Sequence, residues 1–159
     1  MQTATFGAGC FWGVQDDFDK LKGVIDTTAG YMGGSTPRPT YEQVCAGGTG
    51  HLEVVLVKYL ESRVRYERLL EVFWSQVAKI TLLALDYHTG QYRPAIFHYT
   101  DRQRRLAMDS RQQRAGLGLG KQPLGAKLTD IKAASEFWPE PDQAHQHYFQ
   151  KNPRQNQCH

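Results

Sequence analysis

The 159 residues carry 19 Lys and Arg against 16 Asp and Glu, a formal charge of +3, with 40% hydrophobic and 22% charged residues. So small a charge argues against a nucleic-acid-binding role, and no run approaches the ~18 apolar residues of a membrane span. This leaves an ordinary globular chain, long enough for one core, for which residues 1–159 are expected to form a single catalytic domain.

Thr3 to Phe6 reads as a strand, and Phe11, Val14, Phe18 and Leu21 then recur at helical spacing. Between them lies Gly7-Ala8-Gly9-Cys10-Phe11-Trp12-Gly13, which sets Cys10 at a strand-to-helix junction. The unpaired N–H groups and partial positive charge of a helix start favour a thiolate there, so Cys10 is a candidate nucleophile. The competing reading is a small buried hydrophobe in a tight turn. Cys10, Cys45 and Cys158 are odd in number and widely spread, which suits thiols that stay reduced or cycle rather than a structural disulfide framework. No signal-peptide pattern precedes Thr3, so the cytoplasm is the expected compartment.

Lys22-Gly23 supplies a stop, Val24 to Ala29 a strand, and Gly30 to Thr40 a loop that holds Tyr31. Tyr41 to Cys45 leads through Gly47-Gly48-Thr49-Gly50-His51-Leu52-Glu53 into Val54 to Val57, whose successive apolar residues fit a strand covered on both faces. At the mouth of such a strand Glu53 would be desolvated and keep its proton near neutrality, as a general acid requires; a solvated strand-end glutamate is the alternative. Ser62 to Val77 reads as a helix with Leu69, Leu70, Phe73, Trp74 and Val77 as its core stripe, and Ala78 to Leu85 as an apolar connection. Ala95 to Tyr99 reads as a strand. Thr100 and Gln103 form a capping box opening a helix to Ala115, whose arginines 102, 104, 105, 111 and 114 make a solvated face. Leu117 to Gly125 reads as a glycine-rich turn, Lys127 to Ile131 as the last strand, and residues 143–159 as a C-terminal tail. This succession of strands and helices is that of an α+β two-layer sandwich.

Gly9-Cys10-Phe11-Trp12-Gly13 resembles the signature of the A-type peptide methionine sulfoxide reductases. Further stretches resemble that family's other motifs in order: Gly30-Tyr31-Met32-Gly33-Gly34, Gly50-His51-Leu52-Glu53, Asp86 with Gln91-Tyr92-Arg93, and His145-Gln146-His147-Tyr148 followed by Cys158-His159. The resemblance implies a ferredoxin-like α/β core with an extended tail, and thiol-dependent reduction of methionine S-sulfoxide, free or in proteins. It implies Cys10 as the nucleophile that becomes a sulfenic acid, Glu53 as proton donor and Asp86 as a second acid. Tyr31 and Tyr92 would hold the oxygen, and Phe11 and chiefly Trp12 the methyl group. Cys158 would resolve the sulfenic acid as a disulfide that thioredoxin or another dithiol reduces, with no bound cofactor or metal. Cys45 is expected to be a passive buried thiol, and the protein a monomer with no nucleic-acid or membrane partner.

The chain departs from the family pattern after the second helix, where Val77-Ala78-Lys79-Ile80 and Leu83-Ala84-Leu85 replace polar stretches. Asp86 also lies one residue further from Tyr92 than in the family, which could turn Asp86 away and leave Glu53 as the main proton source. Three other readings stay open on the sequence: a cysteine hydrolase pairing Cys10 with His51, His145 or His147, a metal-binding module using the cysteines and histidines, and a non-catalytic sulfoxide-binding relative.

Overall fold

The computed structural model describes residues 1–83, 90–116 and 122–153. Its strands are β1 (Gln2–Gly7), β2 (Val24–Met32), β3 (Leu52–Tyr59), β4 (Ala95–His98), β5 (Asp130–Ala133) and β6 (Trp138–Pro139). They form one mixed sheet in the order β5-β4-β1-β3-β2-β6, in which only the β4–β5 pair is parallel. The helices are α1 (Phe11–Asp19), α2 (Tyr41–Ala46), α3 (Tyr66–Leu83), α4 (Asp101–Gly116), α5 (Gln122–Leu128) and α6 (Tyr148–Lys151), with short 3-10 turns at Gly90–Tyr92 and Gln143–His145.

The two faces of the sheet are read from the alternation along its central strands. Ala4 and Phe6 of β1 and Val55, Val57 and Tyr59 of β3 join the main core, together with the apolar stripes of α1 and α3. Leu52 and Val54 of β3 point the other way, into a smaller cluster with Met32, Ala95 and Phe97. β3 is thus covered on both faces, as its run of apolar residues demands. Phe6 lies at the centre of the main core, stacked on Phe18 of α1 at 5.3 Å and on Tyr66 of α3 at 5.9 Å, with Phe73 at 5.6 Å. Each such pair contributes about 0.5–1.5 kcal/mol beyond area burial and ties both helices to β1 just before the Cys10 junction.

Several boundaries differ from the sequence reading, each for a local reason. α3 starts at Tyr66 rather than Ser62 and continues through the expected connection to Leu83, because its apolar run sustains the helix. Its stripe of Tyr66, Leu69, Leu70, Phe73, Trp74 and Val77 is buried. Of the expected turn at Leu117 to Gly125, residues 117–121 lie outside the described residues and residues 122–125 belong to α5, where Pro123 falls in the first turn and its missing N–H costs nothing. The last long strand is consequently displaced to Asp130–Ala133. β2 extends to Met32, so Tyr31 lies on a strand rather than in a loop. Trp138–Pro139 adds an edge strand, a position that tolerates proline. Of the expected tail, residues 143–153 are described, and they are fastened to α1 and β2 by the contacts given below.

Candidate active site

The chain leaves β1 at Gly7, turns through Gly9 at φ 90°, and enters α1 with Cys10 as its N-cap in an extended conformation. Only glycine adopts the Gly9 conformation without strain. Cys10 is half-buried and disulfide-bonded. The next backbone amide, that of Phe11, is one of the helix-start donors that no carbonyl of the helix can satisfy. It donates to Glu53 Oε1 at 3.2 Å, so the first residue of β3 after Leu52 delivers an acid to within one residue of the candidate nucleophile.

Glu53 points into the helical side of the sheet, the face shared with Val55 and Val57, and is 1% exposed. Burial pushes its carboxyl up to about 8, with the Glu140 charge adding to the rise; the Phe11 amide and the Tyr92 hydroxyl pull the other way and do not win. Its second oxygen, Oε2, has no hydrogen-bond partner among the described residues. Glu53 is therefore a proton-carrying acid at neutral pH with one oxygen left for something else.

Tyr31 pairs across the β2–β3 ladder with Glu53 and is fully buried, and burial raises its phenol well above the usual range. Its hydroxyl donates to Glu140 Oε2, on the chain just beyond β6. Glu140 is 2% exposed, and its other oxygen accepts the Asp142 N–H at 3.0 Å. Tyr92 closes the 3-10 turn before β4 and is half-buried.

The two aromatics after Cys10 divide their roles. Phe11 is 1% exposed and packs on Tyr31 and Tyr41, so it is a core residue that walls the site. Trp12 is only partly buried. Its Nε1 donates to His145 Nδ1 at 3.2 Å, and its ring stacks on Tyr148 at 3.7 Å between centroids and 9° between planes. His145 in turn stacks on Tyr41 at 4.3 Å. Cys45, expected to be buried, is exposed and free, with its thiol hydrogen-bonded to Tyr41; α2 presents that side of its turn to solvent.

Two supports hold this arrangement. The loop feeding Glu53 is clamped by His51, whose Nε2 donates to the Thr36 carbonyl at 2.7 Å while Nδ1 accepts the Gly34 N–H at 3.0 Å. Gly34 passes so close that a Cβ would lie 2.3 Å from His51 N and 2.4 Å from Thr49 O. The second support is the C-terminal segment. Gln146 accepts the Ala29 N–H at 2.9 Å and donates to the Ala29 carbonyl at 2.8 Å, extending β2 as a strand residue would. Gln15 of α1 donates to Gln146 and accepts the His147 N–H, and His147 meets Asp19 at 2.6 Å.

The structure thus gathers Cys10, Phe11, Trp12, Tyr31, Glu53 and Tyr92 around one helix start, while Asp86 and Cys158 lie outside the described residues. Sequence reasoning passed over Glu140 and the Gln15–Gln146 clamp. The available signal was a carboxylate directly after a Trp-Pro edge strand. Among the described residues no group of three or more His, Cys, Asp or Glu side chains is arranged to hold a metal ion, and no helix is long and apolar enough to cross a membrane.

Against known proteins, the family model described as peptide methionine sulfoxide reductase matches residues 2–159. The chain is 47% identical over 154 residues to peptide methionine sulfoxide reductase MsrA of Methanothermobacter thermautotrophicus, covering 96% of this chain and 89% of that one. Methionine sulfoxide reductase A of Corynebacterium diphtheriae superposes with a TM-score of 0.73 at 29% identity, over 99% of this chain and 77% of that one. Saccharomyces cerevisiae Mxr1 in complex with Trx2 superposes with a TM-score of 0.55 at 18% identity, over 92% and 84% of the two chains.

Proposed function

The chain belongs to the peptide methionine sulfoxide reductase family, and we propose that it acts on the S epimer of methionine sulfoxide through attack by Cys10 on the sulfoxide sulfur. The activity is a thiol-dependent oxidoreduction that returns methionine sulfoxide to methionine. The observation that carries the residue assignment is the Phe11 amide held by Glu53, which puts a buried, protonated acid beside Cys10.

The chemistry follows from those groups. A polarised S=O needs a soft nucleophile at sulfur and a proton at oxygen. Cys10 at the start of α1 supplies the thiolate, and Glu53, with its unengaged Oε2, supplies the proton. Tyr92, and Tyr31 once its hydroxyl turns from Glu140 to the sulfoxide, flank the acid and hold the oxygen, and Trp12 offers the methyl group an apolar ring. Overall the sulfoxide and the Cys10 thiol become methionine and a Cys10 sulfenic acid. The Cys158 thiol then attacks the Cys10 sulfur and displaces water to form a disulfide, which thioredoxin or another dithiol reduces. In support, Cys10 is already disulfide-bonded whereas Cys45 is free. Asp86 contributes less than Glu53 in this reading.

The central strands β4-β1-β3-β2, antiparallel throughout with α1 and α3 as crossovers, support a ferredoxin-like two-layer core in a single domain. The cytoplasm is the compartment in which this redox cycle is proposed to run, in a monomer.

The test is consumption of methionine S-sulfoxide and R-sulfoxide with dithiothreitol by the parent and by Cys10→Ser. Methionine from the S epimer alone, lost in Cys10→Ser, supports the reading. Turnover that survives in Cys10→Ser refutes the assignment of the nucleophile.

A further inference from the structure

Trp12 is the second residue of α1 and only partly buried, yet its indole is held on two sides. Its Nε1–H donates to His145 Nδ1 at 3.2 Å, and because that N–H lies in the indole plane, His145 sits off the nitrogen edge of the ring, with the two planes 16° apart. An indole nitrogen only donates, so Nδ1 accepts with its lone pair and the neutral imidazole carries its proton on Nε2. Tyr148 lies flat on one face of the indole, 3.7 Å away and 9° from parallel. His145 is itself fixed: its backbone N–H donates to the Asp142 carbonyl at 3.0 Å, its ring stacks on Tyr41 of α2 at 4.3 Å, and the next residue, Gln146, is bonded to β2 and α1.

We propose that His145 is a positioning residue for substrate binding: its Nδ1 fixes the rotation of the Trp12 indole against Tyr148, so that the opposite face is already formed for the methyl group when the sulfoxide arrives. The proposal rests on the reading of Trp12 as the ring that takes that methyl group. Stacking alone leaves a flat ring free to slide and turn on its neighbour, whereas a hydrogen bond in the ring plane fixes its direction. Ordering a side chain during binding weakens affinity by roughly two- to tenfold, and a ring fixed beforehand avoids that loss. The bond acts on the ring that receives the methyl group and not on the thiol or the acid, so its removal raises the half-saturating concentration and spares the rate at saturation.

The test measures single-turnover methionine release by the reduced protein against the concentration of methionine S-sulfoxide. His145→Phe keeps a flat ring for Tyr41 and removes the acceptor, whereas His145→Asn removes the ring and, with its side-chain oxygen near the place of Nδ1, keeps the acceptor. His145→Phe should raise the half-saturating concentration roughly two- to tenfold with the limiting rate within about twofold of the parent's, and His145→Asn should stay close to the parent in both. In a Trp12→Ala background, where no indole remains to be fixed, His145→Phe should add nothing. The proposal is overturned if His145→Asn weakens binding as much as His145→Phe, as mere packing on Tyr41 requires. It is overturned equally if His145→Phe leaves the half-saturating concentration unchanged, or keeps its full effect in the Trp12→Ala background. Should His145→Phe not fold, His145→Leu, which also lacks the acceptor, takes its place. A Trp12→Ala variant that half-saturates at the parent's concentration would instead overturn the reading of Trp12 beneath the proposal.

Discussion

Replacing Glu53 by glutamine should stabilise the protein increasingly as pH rises. The folded carboxyl holds its proton up to about pH 8, whereas the unfolded chain releases it near 4.5, the ordinary value of a glutamate. Between these values the folded state binds more protons than the unfolded state, so stability falls with rising pH. The contribution of this group is fully present below pH 4.5 and is lost as pH rises towards 8, at about 1.4 kcal/mol per pH unit, or roughly 3 kcal/mol by pH 7. Glutamine does not titrate, and the other titrating groups are common to both proteins and largely cancel in the difference. Urea unfolding of the reduced parent and of Glu53→Gln at pH 5, 6 and 7 should show a stability difference that shifts in favour of the variant by about 1.4 kcal/mol per unit. The same variant should slow single-turnover reduction by about 10²–10⁴-fold, because an amide is a poor acid. A stability difference that stays constant from pH 5 to 7 would refute the claim that Glu53 is buried with its proton.

Three further outcomes are expected. Cys158→Ser should release one methionine per reduced protein but lose thioredoxin-supported cycling while keeping some dithiothreitol-supported turnover, measured as methionine released against time; unchanged thioredoxin-driven rates would move the resolving role to Cys45. Gly34→Ala should cost about 1–3 kcal/mol in urea unfolding and lower activity, since its methyl group would meet the backbone at Thr49 and His51 that leads to Glu53. Gln146→Leu should cost about 2–4 kcal/mol, because the Ala29 N–H and the Gln15 amide lose their buried partner, and hydrogen exchange at Ala29 should rise accordingly.

Two places of the candidate site, Cys10 and Glu53, were marked by local pattern, whereas Tyr31, Tyr92, Phe11 and Trp12 were marked by the family resemblance. Glycines before Cys10 and helical spacing after it mark a helix start, and the run of apolar residues after Glu53 marks a doubly covered strand whose first acid is open to desolvation. What escaped was set by contacts between distant segments. Glu140 matters because β6 returns beside β2, and two strand residues with a proline give no periodic signal. The Gln15–Gln146 clamp joins positions 131 residues apart, and a glutamine inside an amphipathic helix reads as surface until its partner is known. α3 runs past Val77, its expected end, to Leu83, a stretch that carries no glycine or proline to stop a helix.

The central claim is that Cys10 takes oxidation from the sulfoxide. The direct measurement uses reduced Cys158→Ser, in which no resolving step follows, treated with methionine S-sulfoxide or R-sulfoxide and then with a cyclic dione that traps sulfenic acids, with peptide mass spectrometry to locate the adduct. The account requires the adduct on Cys10, after the S epimer only, in proportion to methionine released. Methionine release with no adduct on Cys10, or with the adduct on Cys45, would contradict it.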